Sequence, residues 1–297
     1  MYERQKEEKK LHISGNTALL GLIGTPVEHS KSPAMYNYCF AKYNLDCAYL
    51  AFDVPKEKAG EAVQAIRTLN IKGANVTMPC KNAVIPYLDK LSPAAEAIQA
   101  VNTIVNDNGV LTGHITDGCG YTLNLRAHGV EVAGRKIVLL GGGGAASAIA
   151  IQAALEGAKE IAVFNLKDSF WETVEAGLEK IRGAAPECRI TLHDLQNREE
   201  LKAAIDNSDI LSNATRVGMA PYENQSNITD LTWFRPELVV TDVVYSPAET
   251  KMLREAKAAG CRTCDGLGML LWQGAEAFRL YSGLEMPVEE IRELLYK

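Results

Sequence analysis

Residues 141–146, with the sequence GGGGAA, match the pattern G-x-G-x-x-A, which could bind a phosphate group. An apolar run at 135–140 precedes them, and a helical pattern follows to about Leu155. Glycines at such a turn let the backbone approach a pyrophosphate, and the N-terminus of the next helix offers it unpaired N–H groups. A strand before the motif and a helix after it are the context that this pattern requires. The turn therefore predicts a dinucleotide-binding site.

The end of the next predicted strand, at 164–168, indicates which dinucleotide would bind. Leu166 cannot grip a 2′-phosphate as an arginine would, and Lys167 offers only a point charge. Asp168 could accept a hydrogen bond from a ribose 2′-hydroxyl and would repel a phosphate. These residues favour NAD over NADP. Arg216 could reach the adenosine end, which keeps NADP as the alternative.

Two polar segments near predicted turns contain a lysine and a carboxylate, Lys81 and Asp117. A positioned acid or base typically contributes about 10²–10⁴-fold to the rate of a proton transfer. Burial would favour a neutral Lys81 that accepts a proton directly, whereas a nearby carboxylate would stabilise its ammonium form. The sequence does not decide which of these effects would prevail. Taken alone, Lys81 also fits a solvated lysine at a helix start, and Asp117 fits a helix cap.

A third polar segment, EHSKSP at 28–33, contains two serines two residues apart. The hydroxyls of Ser30 and Ser32 can both donate to one carboxylate if the turn presents them on the same side. Taken alone, they also fit ordinary capping of the helix predicted after Pro33.

The order of predicted elements must place these groups. Alternating strands and helices indicate an α/β fold. Because the composition changes near residue 118, we predict two domains, one over 1–118 that is completed by C-terminal helices at 266–297, and one over 119–265. The second is predicted to be a Rossmann-type doubly wound dinucleotide-binding domain. The main predicted strands lie at 17–24, 48–54, 73–77, 101–105, 110–111, 135–140, 160–164, 190–192, 210–213 and 238–242.

Composition excludes several function classes. The chain has 297 residues, a formal net charge of −6 and 47% hydrophobic residues, which is typical of a globular protein without an electrostatic footprint for nucleic acid. No apolar run approaches the length of a membrane span. The seven cysteines are odd in number and scattered, which favours a reducing cytoplasm. The pair Cys261-x-x-Cys264 lacks a second ligand pair, so no metal is expected.

Several stretches together resemble the shikimate dehydrogenase family, and most closely its quinate/shikimate dehydrogenase branch. They follow the family order over nearly the whole chain after its charged leader. The matching stretches are GTPVEHSKSP (24–33), GANVTMPCK (73–81), AVNTIV (100–105), TDGCG (116–120), LLGGGGAASAIA (139–150), SNATRVGM (212–219), VVYSPAET (243–250) and GMLLWQGAEAF (268–278).

The resemblance implies reversible NAD(P)-dependent oxidation of the 3-hydroxyl of shikimate to 3-dehydroshikimate, or of the matching alcohol of quinate to 3-dehydroquinate. It assigns Lys81 and Asp117 as the catalytic pair, and the two serines to the substrate carboxylate. The residues that would bind the substrate are Ser30, Ser32, Thr77, Lys81, Asn102, Asp117, Tyr245 and Gln273. The residues that would bind the cofactor are Gly142, Gly143, Gly144, Ala145, Asn165, Leu166, Lys167, Asp168, Arg216, Val243, Val244, Tyr245, Ser246 and Gly266.

Two positions depart from the family pattern: Tyr36 stands where many relatives have histidine, and, more sharply, Ile115 precedes Thr116 and Asp117 where the family usually has asparagine. An apolar side chain cannot reproduce the hydrogen bonds of an amide, so support of Asp117 and substrate choice are expected to differ. Two alternatives therefore stay open, a dehydrogenase of another cyclitol-like acid such as an aminoshikimate, and a non-catalytic dinucleotide-binding regulator. The expected partner is a small-molecule substrate, with a homodimer as one candidate assembly.

Overall fold

The computed structural model describes residues 13–295, which form two compact units. The first unit contains residues 13–92, Ala100–His114 and 277–295, and the second contains Pro93–Gln99 and Ile115–Glu276. Each unit is built on one six-stranded sheet. Among the described helices, none is long and apolar enough to cross a membrane.

The first unit has a mixed sheet. Its strands are β1 (Ala18–Gly24), β2 (Cys47–Asp53), β3 (Gly73–Val76), β4 (Lys90–Leu91), β5 (Thr103–Asp107) and β6 (Val110–His114). The strand order is β2-β1-β3-β5-β6-β4. Strand β1 is parallel to both of its neighbours, whereas β5 is antiparallel to β3 and β6. The apolar sequence of β1 is typical of a central strand that is covered on both faces.

Helices cover the first sheet. They are α1 (Ser32–Lys42), α2 (Ala59–Thr68), the end of α9 (Gly266–Ser282) and α10 (Val288–Leu295). The rings of Phe40 in α1 and Phe278 in α9 lie 6.1 Å apart. The Lys42 ammonium lies 2.6 Å from the Glu290 carboxylate. The C-terminal helices of this unit therefore pack against α1.

The second unit has a fully parallel sheet. Its strands are β7 (Lys136–Leu140), β8 (Glu160–Asn165), β9 (Arg189–Asp194), β10 (Ile210–Asn213), β11 (Val239–Asp242) and β12 (Arg262–Cys264). The strand order is β12-β11-β10-β7-β8-β9. Because the connections reverse direction beside β7, the glycine turn that follows β7 lies at the switch point where such sheets bind ligands.

Helices also cover the second sheet. They are α4 (Asp117–Ala127), α5 (Gly144–Leu155), α6 (Trp171–Ala184), α7 (Arg198–Asp206), α8 (Lys251–Ala258) and the first part of α9, while the short helix α3 (Pro93–Ile98) packs on α5 and α6. Large apolar side chains such as Leu140, Phe164 and Leu211 form one core beside this sheet. The predicted α/β fold with a Rossmann-type domain is thus confirmed.

Some elements were not predicted from the sequence, among them α3, α6 and the short strands β4 and β12. Helix α6 buries Leu178 and Ile181, and with Val174 these residues recur at the spacing of one helix face, so the sequence did contain a signal for this helix. Strand β4 has two residues, which is too short for an alternating pattern.

The compact units depart from the predicted domain boundaries in three places, at 93–99, 115–118 and 266–276, all of which belong to the second unit. Residues 93–99 belong to the second unit, where α3 packs against α5 and α6. Helix α9 is divided after Glu276, because its later residues Phe278 and Tyr281 pack against aromatic rings of α1.

Candidate active site

The glycine turn after β7 is packed against protein at its first residues and open at its later ones. Gly141 has a φ of +102°, which favours glycine, and its N–H donates to the Phe164 carbonyl over 2.7 Å. A Cβ on Gly142 would lie 2.6 Å from a methyl carbon of Val174 in α6. A Cβ on Gly143 or Gly144 would meet nothing within 4 Å. The space in front of these two residues is therefore open to a ligand at the N-terminus of α5.

A cavity of about 820 Å³ lies beside this turn. Gly142, Gly143 and Gly144 line one side of it, and Asp168 and Lys180 are among its polar lining residues. This volume falls in the usual range for sites that bind small molecules and cofactors. The N-terminus of α5 adds a positive dipole end, which suits a phosphate group.

The residues after β8 have distinct contacts. Asn165 accepts a hydrogen bond from the Gly142 N–H over 3.0 Å, so its side chain supports the glycine turn. Leu166 is exposed, and the Lys167 ammonium lies 5.7 Å from the centre of the Trp171 ring. The Asp168 carboxylate accepts from the Phe170 N–H over 2.9 Å, at the start of α6.

A buried carboxylate joins the loops that follow β10 and β11. Asp242 is 1% exposed, and it accepts hydrogen bonds from the Asn213 amide, the Val244 N–H and the Thr250 hydroxyl over 2.9, 3.0 and 2.7 Å. Burial raises the pKa of Asp242 to about 6, and these hydrogen bonds oppose the rise. Asp242, Asn213, Val244 and Thr250 are called the Asp242 cluster below.

This cluster fixes the loops that contain several predicted cofactor residues. The Asn213 amide also donates to the Val217 carbonyl over 3.0 Å, next to the exposed Arg216. Val244 is held directly, and the neighbouring Tyr245 is 53% exposed. The predicted cofactor residues in these two loops are Arg216, Val243, Val244, Tyr245 and Ser246.

Gly266 begins α9 close to the loop after β11. A Cβ at this position would lie 2.5 Å from the Val243 carbonyl oxygen and 2.4 Å from that of Val244. Only glycine therefore permits this approach of the helix to the loop.

Asp117 lies in the first turn of α4, where a negative charge is favourable. The preceding Thr116 is buried, and its hydroxyl lies 3.5 Å from the Gln273 side-chain oxygen in α9. Gln273 also donates to the Leu270 carbonyl over 2.9 Å. Ile115 is 4% exposed, so it contributes an apolar side chain to the interior just before Asp117.

In the first unit, two loops meet at the carboxyl ends of β1 and β3. Gly24 has a φ of +151°, and a Cβ there would lie 2.4 Å from the Thr77 methyl group. The Thr25 N–H donates to the Met78 carbonyl over 3.1 Å. The missing side chain of Gly24 therefore brings the segment at 77–81 beside the loop that leads to Ser30.

The two serines precede α1. The Ser30 hydroxyl accepts from the Ser32 N–H over 3.2 Å in the turn before the helix, whose N-cap residue is Lys31 and makes no side-chain capping bond. Within residues 13–295, neither serine hydroxyl donates a hydrogen bond to a protein acceptor. Both protons thus stay available to a ligand.

Lys81 and Asn102 lie close to the same strand ends. The Lys81 carbonyl accepts from the Val101 N–H over 2.9 Å, and the Asn102 carbonyl accepts from the Val76 N–H over 2.7 Å. Asn102 is 4% exposed. The first unit thus gathers Ser30, Ser32, Thr77, Lys81 and Asn102 around the carboxyl ends of β1 and β3.

Sequence reasoning missed Asp242 and Asn213, and also Asn75 and Thr103 behind Asn102. All four are buried polar residues within or at the end of an apolar strand. A buried polar side chain needs a hydrogen-bond partner, so a polar residue inside a strand pattern is a signal that could have found them.

A parallel sheet of this order, with a glycine turn after its central strand, defines a dinucleotide-binding α/β protein. The model of the shikimate dehydrogenase substrate-binding domain matches residues 22–104, and that of the shikimate 5'-dehydrogenase C-terminal domain matches 266–296. The chain is 50% identical over 284 residues to the shikimate dehydrogenase (NADP(+)) of Listeria monocytogenes serotype 4b (strain F2365), covering 96% of this chain and 97% of the relative. The chain belongs to the shikimate dehydrogenase family.

Solved structures agree with this assignment. The shikimate 5-dehydrogenase of Listeria monocytogenes in complex with shikimate and NAD has a TM-score of 0.92 and 49% identity, covering 100% of this chain and 99% of that chain. The quinate dehydrogenase of Corynebacterium glutamicum in complex with NAD has a TM-score of 0.81 and 30% identity, covering 93% and 98%.

Proposed function

We propose that this protein is an NAD(P)-dependent dehydrogenase that interconverts shikimate and 3-dehydroshikimate. The observation that carries the proposal is the 49% identity, over the whole chain, to a solved relative whose complex contains shikimate and NAD. Apart from Gln273, which lies within α9, the residues that the sequence analysis assigned to substrate and cofactor lie in loops at strand ends or at helix starts, where α/β proteins bind ligands.

The residues around the glycine turn fit a dinucleotide. The open space before Gly143 and Gly144 admits a pyrophosphate, and their N–H groups at the start of α5 would hold it. A bound nicotinamide supplies the hydride acceptor that oxidation of an alcohol requires. The Asp242 cluster would hold the loop whose residues, Val243 to Ser246, are assigned to the cofactor, and Gly266 would face the nicotinamide.

Lys81 and Asp117 are proposed to move the proton of the alcohol. A secondary alcohol must lose its hydroxyl proton as its carbon loses a hydride, and a positioned side chain lowers the barrier. The Lys81 ammonium would polarise the carbonyl oxygen in the reverse direction. The Asp117 carboxylate would orient the ammonium and share the proton.

The remaining polar residues would bind and orient the substrate. Ser30 and Ser32 would donate both hydroxyl protons to its carboxylate. The ring hydroxyls would contact side chains from several elements, namely Thr77, Asn102, Gln273 and Tyr245.

We infer that NAD is the preferred dinucleotide, although the Listeria relative is named for NADP(+). The support is Asp168, whose carboxylate lines the cavity beside the turn, together with Leu166 where an arginine would bind a 2′-phosphate. The 49% identical relative was solved with NAD. Leu166→Arg should shift the ratio of kcat/KM values towards NADP, and an unchanged ratio would mean that another surface reads the 2′ position.

Quinate is proposed as a second substrate, because the 30% identical Corynebacterium relative is a quinate dehydrogenase. Steady-state kinetics with an aminoshikimate in place of shikimate test that compound as the substrate. The predicted homodimer also remains a proposal, which analytical ultracentrifugation of the full chain tests.

The deciding experiment is a steady-state comparison of shikimate and quinate, each with NAD and with NADP. We expect the highest kcat/KM with shikimate. Lys81→Ala should lower kcat by about 10²-fold or more and leave dinucleotide binding unchanged, because the nucleotide binds in the other unit. Lys72→Ala is the matched control, because it removes an exposed lysine just before strand β3, whereas Lys81 follows that strand. This variant should retain activity. No turnover of any substrate, with intact nucleotide binding, would favour a regulatory protein.

A further inference from the structure

We propose that Thr103 is a positioning residue that fixes the Asn102 side-chain amide with its NH₂ group turned towards the substrate. This inference rests on the proposed function, in which Asn102 binds a ring hydroxyl of shikimate. It concerns the hydrogen bonds behind Asn102, which lie wholly within the first unit.

Four buried residues form one chain of hydrogen bonds. The Tyr49 hydroxyl lies 2.8 Å from the Asn75 side-chain oxygen, and the Asn75 nitrogen lies 3.2 Å from the Thr103 hydroxyl oxygen. The Thr103 hydroxyl lies 3.0 Å from the Asn102 side-chain oxygen. We call Tyr49, Asn75, Thr103 and Asn102 the amide cluster.

Asn75 determines which groups donate and which accept along this series of hydrogen bonds. Its side-chain nitrogen lies 3.3 Å from the backbone carbonyl of Asn102, which can only accept a hydrogen bond. The NH₂ group of Asn75 must therefore face that carbonyl and Thr103. Its oxygen is left to accept the proton of the Tyr49 hydroxyl.

The same reasoning orients Asn102. Because Thr103 accepts a proton from Asn75, its own hydroxyl proton needs an acceptor, and the Asn102 side-chain oxygen lies within reach. If the Asn102 amide were reversed, two NH₂ groups would face one hydroxyl oxygen and the Thr103 proton would lose this acceptor. Thr103 is 0% exposed, so water would not replace the missing bond.

Aromatic packing keeps the cluster dry. The Tyr36 ring stacks on Tyr49 with ring centres 4.5 Å apart. Tyr281 faces Thr103 from α9 but does not reach hydrogen-bond geometry. Burial raises the pKa of Tyr49 well above its ordinary value, so its hydroxyl keeps the proton that starts the chain.

The experiment measures KM for shikimate and for the dinucleotide in Thr103→Val, which is nearly isosteric but has no hydroxyl. We expect KM for shikimate to rise about tenfold while KM for the dinucleotide stays within about twofold. Thr103→Ser should restore KM for shikimate, since it restores the hydroxyl. Tyr49→Phe, at the far end of the chain, should raise it about twofold to threefold.

The matched control is Tyr121→Phe, which removes another fully buried tyrosine hydroxyl, paired with Ser212 over 2.7 Å in the second unit. It should lose stability as Tyr49→Phe does and leave KM for shikimate unchanged. An equal rise in KM in both tyrosine variants would overturn the proposal, because the effect would then follow stability alone.

Shikimate analogues that each lack one ring hydroxyl sharpen the test. The analogue without the hydroxyl that Asn102 binds should lose the difference in KM between wild type and Thr103→Val. Unchanged KM for shikimate in a folded Thr103→Val variant would overturn the positioning role alone. Absence of shikimate oxidation in the wild type would instead overturn the proposed function, and the inference with it.

Discussion

The amide cluster and the Asp242 cluster are both buried hydrogen-bond networks at strand ends, yet they are built from different chemistry. The amide cluster uses only neutral amides and hydroxyls, and it lies behind one side chain, Asn102. The Asp242 cluster centres on a carboxylate and ties together two loops. One network orients a side chain, whereas the other holds backbone.

The difference teaches what a buried charge adds. A carboxylate accepts several hydrogen bonds at once and makes each of them stronger than a neutral one, but burying it carries a desolvation penalty that raises its pKa. A chain of neutral groups avoids that penalty, and its hydrogen bonds all run in one direction, from Tyr49 through Asn75 and Thr103 to Asn102. The two clusters should therefore respond differently to substitution and to pH.

The largest expected effect follows removal of the carboxylate. Asp242→Ala should lower the free energy of unfolding by about 4 kcal/mol, because three buried donors lose their acceptor. Urea denaturation measures it. Asp230→Ala is the control, since Asp230 likewise accepts from one backbone N–H and one threonine hydroxyl, both of Thr232, but is exposed, and it should cost less than about 1 kcal/mol. Equal losses in both variants would mean that the Asp242 cluster adds nothing beyond a local cap.

The next effect is a pH dependence. Because the pKa of Asp242 is raised from 3.8 to about 6, the folded state binds the proton more tightly than the unfolded state. Its contribution to stability is therefore fully present below pH 3.8 and is lost as the pH rises through about 6, a change of about 3 kcal/mol.

Asp242→Asn isolates this dependence, since the amide does not titrate. The free energy of unfolding of this variant relative to wild type should increase by about 2 kcal/mol between pH 4 and pH 7, since part of the full change lies below pH 4. A difference that stays flat over this range would show that Asp242 keeps the same protonation affinity in both states.

The smallest expected effect concerns the neutral cluster. Thr103→Val should lower the free energy of unfolding by about 1–2 kcal/mol, the usual cost of a lost buried hydrogen bond. This loss should be the same at pH 4 and pH 7, because none of the cluster's hydroxyls and amides titrates there. A loss that varied with pH would reveal an ionised group coupled to the amide cluster and would remove the contrast with Asp242.

The sequence predicted the fold class and the glycine turn because each depends on local pattern. Gly141 to Ala146 stand between an apolar strand and a helix, and the structure has both. Helix α6 was missed although Val174, Leu178 and Ile181 recur at helical spacing. The role of each assigned site residue, such as Lys81, stays a prediction.

The sequence could not predict the hydrogen bonds between residues that are distant in the chain. Asn75 bonds Tyr49 and Thr103, which lie 26 and 28 residues away, and Asp242 bonds Asn213 at a separation of 29. No local spacing encodes such pairs, because the sheet register decides which side chains meet. The sequence could mark these residues as polar interruptions of strands but could not name their partners.

The neighbours Gly142 and Gly143 have unequal consequences for protein engineering. A library screened only for thermal resistance would discard replacements of Gly142, because a Cβ there would lie 2.6 Å from Val174. The same screen would accept alanine at Gly143, where a Cβ would meet nothing within 4 Å. Under the proposed function, those accepted clones would fold normally and still bind dinucleotide poorly. Selection for thermal stability alone would thus accept substitutions on the open side of the turn that melting curves do not reveal.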